Sequence, residues 1–313
     1  MPYPLTMQNA PLLRAVLGTM ALLCVFCLAL PHSGFAAGKA DAPVASPIIW
    51  QAGPYTVIAI QDRPGEMDAG LFSGPATPEQ RKQFFPNGKA PSSISTFLIR
   101  TPNKNVLVDT GFGDARPGTS ALLTALDSLG LAPENIDLIL MTHMHMDHAG
   151  GLLLEKARAF PKAKVAIAKP ELDYWLDLAS KDRSQPNAAL VRSVVDAYGT
   201  DILPPFAFEE YVMPGVKAVD ASGHTPGHTA FLLKAEGKSL LIIGDLVHAA
   251  DFQFALPEEC ASYDIDAAKA VAARKRILSL SADENIPVAG MHIPFPSYGK
   301  TLKDGNGFKL IRD

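Results

Sequence analysis

The sequence predicts an α/β fold made of two similar halves around one shared core. Three observations carry that reading. Short apolar, β-branched runs alternate with helical patterns, and they do so twice, with a break near residues 200–215. The chain has 313 residues, 48% of them hydrophobic and 19% charged, which is enough for a large core and excludes a disordered chain. Beyond the N-terminal apolar run, Cys260 is the one cysteine, so the core must hold without an internal disulfide. Cys260 reads as a small buried hydrophobe. With 28 Lys+Arg against 32 Asp+Glu the chain has no basic excess to neutralise a phosphate backbone, so a nucleic-acid partner is not expected.

The elements follow in order. Residues 1–36 carry a single charge, Arg14, then an apolar run from Ala15 to Leu30, then Pro31 and small residues ending at Ala36-Ala37. That is the pattern of a secretory signal peptide, and the run is shorter than the ~20 residues a bilayer span needs. The expectation is a protein cleaved after Ala36, periplasmic or secreted, without a stable membrane anchor. Residues 37–48 read as a flexible mature N-terminus. Tyr55–Ile60 is a strand, and residues 62–92 read as a long loop or lid, with Arg81 and Lys82 on its solvated face. Ser95–Ile99 and Asn105–Val108 are strands joined by a turn at Pro102-Asn103. Thr119 or Ser120 caps a helix ending at Gly130. Ile136–Met141 is a buried strand, and Lys164–Ile167 is another. Helices are expected from Pro170 to Leu178 and from Ala188 to Tyr198. Strands at Val216–Val219, Thr229–Leu233 and Leu240–Ile243 follow. Asp264 or Asp266 then caps a helix to Ser281, before a last core strand at Pro287–Ala289.

Chemistry concentrates directly after the strand at 136–141, in Thr142-His143-Met144-His145-Met146-Asp147-His148. In an extended segment residues i and i+2 share a face, so His143 and His145 can converge on one cation. A turn then aims Asp147 and His148 at a second point. Imidazole and carboxylate suit zinc, iron, manganese or cobalt. The chain has 8 histidines, and the others outside the N-terminal run are His224, His228, His248 and His292. His228 lies between two expected strands, and Asp245 and His292 each follow a strand end, where α/β scaffolds build sites.

This pattern resembles the metallo-β-lactamase superfamily of binuclear metal hydrolases, from the strand at 55 to Pro296. Asp109-Thr110-Gly111 is similar to its first signature, and His143-x-His145-x-Asp147-His148 to its defining one. Within the superfamily, Gly223-His224-Thr225-Pro226-Gly227-His228-Thr229, Gly244-Asp245-Leu246, Asp251-Phe252-Gln253-Phe254 and His292-Ile293-Pro294-Phe295-Pro296 are similar to methyl parathion hydrolase-type and lactonase-like members. The resemblance implies a four-layer αββα sandwich over residues 49–313. It also implies two divalent metal ions, zinc first, with iron, manganese or cobalt as alternatives. His143, His145 and His228 would hold one metal, and Asp147, His148 and His292 the other, with Asp245 bridging. Asp109 is expected to hydrogen-bond a ligand histidine, and His224 to brace the loop that presents His228. His248 is left open between pocket and loop. Phe72, Phe84, Phe85, Trp175 and Phe252 are weighed as a substrate wall against a packing role.

The function expected is an exported hydrolase in which a metal-bridging hydroxide attacks an ester-type bond in a lactone, aryl ester or phosphotriester. Two divalent cations against Asp147, Asp245 and that hydroxide leave a net charge of about +1, which favours an anionic transition state. Asp147 and Asp245 are the catalytic candidates, Asp147 as a proton shuttle. The partner is a small-molecule substrate, with a homodimer left open. Competing readings are a glyoxalase II-like thioesterase, a non-hydrolytic di-iron redox module, and a protein that merely stores metal.

Overall fold

The computed structural model describes residues 46–113, 121–182 and 184–312. The signal and most of the mature tail expected at the N-terminus lie outside these residues, as do Thr119 and Ser120. The first half runs β1 (Ile48–Ala52), β2 (Tyr55–Asp68), β3 (Phe72–Ser73), α1 (Pro78–Phe84), β4 (Lys89–Arg100), β5 (Asn105–Val108), α2 (Leu122–Ser128), β6 (Leu138–Leu140), α3 (Met146–Ala149), β7 (Leu153–Leu154), β8 (Ala157–Arg158), β9 (Lys164–Ala166), α4 (Lys169–Lys181) and α5 (Pro186–Tyr198). The second runs β10 (Tyr211–Met213), β11 (Val216–Asp220), β12 (Thr229–Ala235), β13 (Lys238–Ile242), α6 (Ala250–Ala255), β14 (Cys260–Ala261), α7 (Ala267–Asp283), β15 (Val288–Ala289), β16 (Tyr298–Asp304) and β17 (Gly307–Ile311).

Two large sheets result, ordered β1-β2-β4-β5-β6-β9 and β10-β11-β12-β13-β15-β16-β17, beside two small ribbons, β3-β14 and β7-β8. Alternation along the strands decides which side chain faces which layer. Phe97, Ile99, Val106, Val108, Leu138 and Leu140 of the first sheet meet Phe231, Leu233, Leu240 and Ile242 of the second. Their neighbours Leu98, Leu107 and Ile139 point the other way, under Leu122 and Leu126 of α2, Trp175 of α4 and Val191 and Val194 of α5. Leu232, Leu241 and Ile243 likewise pack under Ala273, Ile277 and Leu278 of α7. Three apolar interfaces separate four layers, which is the αββα sandwich expected. Among the described residues no helix is long and apolar enough to cross a membrane.

Most expected elements recur with shifted ends. Asp266 is the residue that caps α7, accepting from the Lys269 amide at 3.1 Å. The lid expected over 62–92 is instead ordered structure. β2 continues to Asp68 and pairs with β4 back to Lys89, and α1 starts on a capping box between Thr77 and Gln80. Pro64 and Gly65 hide this strand from a propensity reading, and the cross-strand ladder overrides them. Arg81 is not on a solvated face: its guanidinium sits 2.6 Å from the buried Glu259 carboxylate and donates to the Phe72 carbonyl at 3.0 Å. Phe72, Phe85 and Phe252 close a separate apolar cluster, with ring centroids 4.9–5.6 Å apart. The hairpin of β16 and β17, beyond the last expected strand at Pro287–Ala289, completes the edge of the second sheet.

Candidate metal centre

The strand ends of both sheets open at one edge of the sandwich. His143, His145, Asp147 and His148 follow β6, the last two on the short helix α3. His224 sits in the turn between β11 and β12, Asp245 follows β13, and His292 follows β15. Three groups of donor atoms form, each within 4.8 Å: His143, His145, His224 and Asp245; Asp147, His148 and His292; and Asp245, His248 and His292, which overlaps the other two. In the first, His145 Nδ1 lies 3.0 Å from both His143 Nε2 and His224 Nε2. Asp245 Oδ2 is 3.7 Å from His143 Nε2 and 3.4 Å from His224 Nε2. In the second, Asp147 Oδ2 is 3.7 Å from His148 Nε2 and 3.4 Å from His292 Nε2. Asp245 joins this group too, 3.0 Å from His148 and 3.1 Å from His292. Four donors around one zinc at ~2.1 Å would stand about 3.4 Å apart.

The outer ring nitrogens are tied, which fixes the tautomers. His143 Nδ1 faces Thr142 Oγ1 at 3.1 Å, and that hydroxyl gives its own proton to Asp109 at 2.6 Å. His224 Nδ1 donates to Asp264 at 2.8 Å, His148 Nδ1 to Asp109 at 2.7 Å, and His292 Nδ1 to the Ser93 carbonyl at 2.8 Å. Hydrogen-bonded outer nitrogens are how proteins orient imidazole toward a metal. With their Nδ1 atoms protonated, His143 and His224 both turn Nε2 lone pairs on His145, whose Nδ1 can give a proton to one of them at most. His148 Nε2 and Asp245 Oδ1 are buried and face only each other, 3.0 Å apart, with no further hydrogen-bond partner. Lone pairs facing lone pairs, beside orphaned donor atoms, are what a missing cation leaves behind. The cluster therefore fits two metal ions.

The Metallo-beta-lactamase superfamily profile matches residues 90–289. The chain belongs to the metallo-beta-lactamase superfamily. A curated N-acyl homoserine lactonase of Bacillus cereus is 23% identical over 237 residues, 69% of this chain and 84% of the lactonase. The crystal structure of the hydrolase AbOPH is similar with a TM-score of 0.77 at 29% identity, covering 86% of this chain and 98% of that one. AidC, a dizinc quorum-quenching lactonase, shares the fold with a TM-score of 0.76 at 23% identity, covering 87% and 99%.

Against the sequence expectation, this metallo-beta-lactamase-fold chain exchanges two histidines. His143, His145, Asp147, His148, Asp245 and His292 come together as expected, but His228 does not join them. Its Nδ1 donates to the Ala221 carbonyl and its Nε2 accepts the Asp245 amide, each at 2.9 Å. No lone pair remains for a cation, so His228 aims the Asp245 loop instead. Gly244, at φ 55°, lets that loop pass: a Cβ there would stand 2.4 Å from His228 Nε2. His224, expected to brace the loop, stands in the donor group with His143, His145 and Asp245. Spacing could not separate the two, because both histidines lie in one turn. Asp109 acts as expected, and holds a left-handed backbone (φ 61°) that Asp tolerates better than most residues.

The electrostatics divide the cluster. Burial, together with neighbouring rings, lowers His145 to about 3 and His224 to about 4, and drives His143 down as well, so these rings are neutral ligands at pH 7. Burial also opposes charge on His148 and His292. There the carboxylates of Asp245 and Asp147 outweigh it, raising His148 and pushing His292 up to about 10. Above the cluster opens a cavity of about 340 Å³, lined by His145, Asp147, His224, Asp245 and His292 of the cluster together with Met67, Leu71, Met146, Asn187, His248 and Tyr263. The aromatics weighed as a substrate wall are absent from it. Phe72, Phe84, Phe85 and Phe252 pack together, and Trp175 is buried behind His145. His248 does reach the pocket, its Nε2 3.1 Å from Asp245 Oδ2.

Proposed function

We propose that this protein is a metal-dependent hydrolase of neutral ester-type substrates: lactones, aryl esters or phosphotriesters. The observation that carries the reading is the pair of donor groups sharing Asp245 at the floor of an open pocket. Two divalent cations bound there would supply Lewis acidity and a water acidic enough to act as a nucleophile at neutral pH. Asp245 holds both halves of the cluster in register. Asp147, kept ionised by His148 and His292, stands at the pocket floor, placed to take a proton from the attacking water and pass it to the leaving oxygen. Met67, Leu71, Met146 and Tyr263 give the substrate's non-reacting part an apolar wall.

No lysine or arginine lines the pocket among the described residues. An anionic substrate such as a glutathione thioester or a β-lactam carboxylate would need such a partner. The lactonase relative supports the lactone arm, and the likeness to methyl parathion hydrolase-type motifs supports the phosphotriester arm. Zinc is the metal proposed, and the reading keeps export, which N-terminal sequencing of the mature protein tests. The decisive experiment is a rate panel on zinc-loaded protein with an acyl-homoserine lactone, an aryl ester, a phosphotriester and a β-lactam, with a chelator as control. Chelator-sensitive turnover of one of the first three is expected. Turnover of none of them, or of the β-lactam alone, overturns the substrate assignment.

A further inference from the structure

Glu171 lies in the first turn of α4, outside the ligand set, with its side chain buried. Among the described residues no lysine, arginine or histidine forms an ion pair with its carboxylate. Four donors converge on it instead. Oε1 accepts from the Met144 amide at 2.8 Å and from Trp175 Nε1 at 2.7 Å. Oε2 accepts from Thr225 Oγ1 at 2.6 Å and from the Gly227 amide at 3.0 Å. Burial raises its pKa, and these four bonds oppose the shift.

The partners are not scattered. Met144 stands between His143 and His145, whereas Thr225 follows His224 directly. One carboxylate therefore joins the two loops that deliver the three rings of the first donor group. Those loops come from different sheets and share no covalent restraint nearer than about 80 residues of chain. Trp175, the fourth partner, lays its ring edge-on to His145 with centroids 5.6 Å apart. The approach is close enough to dictate sequence: a Cβ on Gly227 would stand 2.2 Å from the Glu171 amide nitrogen.

We infer that Glu171 is a positioning residue: a buried carboxylate clamp that sets the spacing of His143, His145 and His224, and with it the affinity and geometry of the first metal position. The role presupposes that these rings hold a cation, as proposed above. It does not extend to the second position, because Asp147, His148 and His292 take their orientation from Asp109, Ser93 and α3. The clamp is specific to a carboxylate. Glutamine keeps the size but turns an NH2 toward two donors, leaving hydrogens facing hydrogens in a buried site.

Cobalt(II) binding to the full chain tests this. Native protein is expected to take two cobalt ions, with visible absorption reporting the geometry. Glu171→Gln is expected to fold, to keep the second ion, and to lose the first to a competing chelator at roughly 10–100-fold lower concentration, the usual effect of removing an outer partner. Thr225→Val removes one strong donor while leaving the carboxylate, and is expected to shift the same ion in the same direction by less. It carries the test should Glu171→Gln not fold. Native-like spectra and chelator midpoints in the folded variants overturn the clamp while leaving the metal centre standing. Equal weakening of both ions overturns it too, since that marks a general loss of packing. If native protein binds no cobalt, the metal reading itself fails, and the two failures are thereby distinguished.

Discussion

The two halves of the candidate centre solve opposite problems with the same side chains. Around His143, His145 and His224, burial and ring neighbours keep three imidazoles neutral, and a cation is needed to reconcile their lone pairs. Around His148 and His292, the carboxylates of Asp245 and Asp147 outweigh burial and raise both rings' affinity for positive charge. Burial governs the first half and carboxylate charge the second. Charge balance decides this, since all five rings are largely or wholly buried.

Asp245 is the group both halves share, so its loss has the largest expected effect. Asp245→Ala should strip both metals and lower hydrolysis by more than roughly 10³-fold, about 4 kcal/mol of transition-state stabilisation. Metal content by elemental analysis checks it, and a variant that keeps two ions and full rate refutes the shared role.

Next comes the exchange of histidines. His224→Ala should leave one ion per chain, with the His148 half occupied. His228→Ala should keep both, held more weakly by roughly 10–100-fold, because it loses only the bond that aims the Asp245 loop. The reverse ranking would restore His228 as the ligand.

The contrast in pKa direction predicts that zinc binding to metal-free protein at pH 7 releases protons from the half that holds His292, whose pKa is pushed up to about 10, and His148, which is raised too. Calorimetry in two buffers of different ionisation enthalpy measures it, and a value near zero would mean the halves do not differ. The sign for stability follows from His292, whose folded pKa of about 10 exceeds its unfolded value of 6.5. Its contribution to the metal-free fold is complete below pH 6.5 and is lost as pH rises through about 10.

The smallest effects should be local to one half. Asp264→Asn should weaken the first ion and Asp109→Asn the second, each by up to about tenfold, and chelator titration resolves which ion moves.

Four of the residues that come together, His143, His145, Asp147 and His148, were legible because they are local: a strand followed by alternating histidines presents them to one face. Asp245 and His292 were named from their places at strand ends and from the family resemblance. The same locality holds for the strand faces, since period-two apolar runs decide which side of a sheet is buried. The long β2–β4 hairpin was not legible, because Pro64 and Gly65 break the local pattern while the ladder to β4 restores the strand. The aromatic residues misled for a related reason: composition says that a phenylalanine will be buried, not whether it faces a pocket or another ring.

By itself, then, the sequence determined which strand faces are apolar and that His and Asp gather after strand ends, while the four-layer sandwich was what the family resemblance implied. Only the tertiary structure decided that His224 rather than His228 turns inward, that Glu171 ties two loops from different sheets, and that methionines rather than phenylalanines wall the pocket. Each of those depends on where a second segment arrives in space, and a hydrogen bond counts its partner only when that partner is within reach.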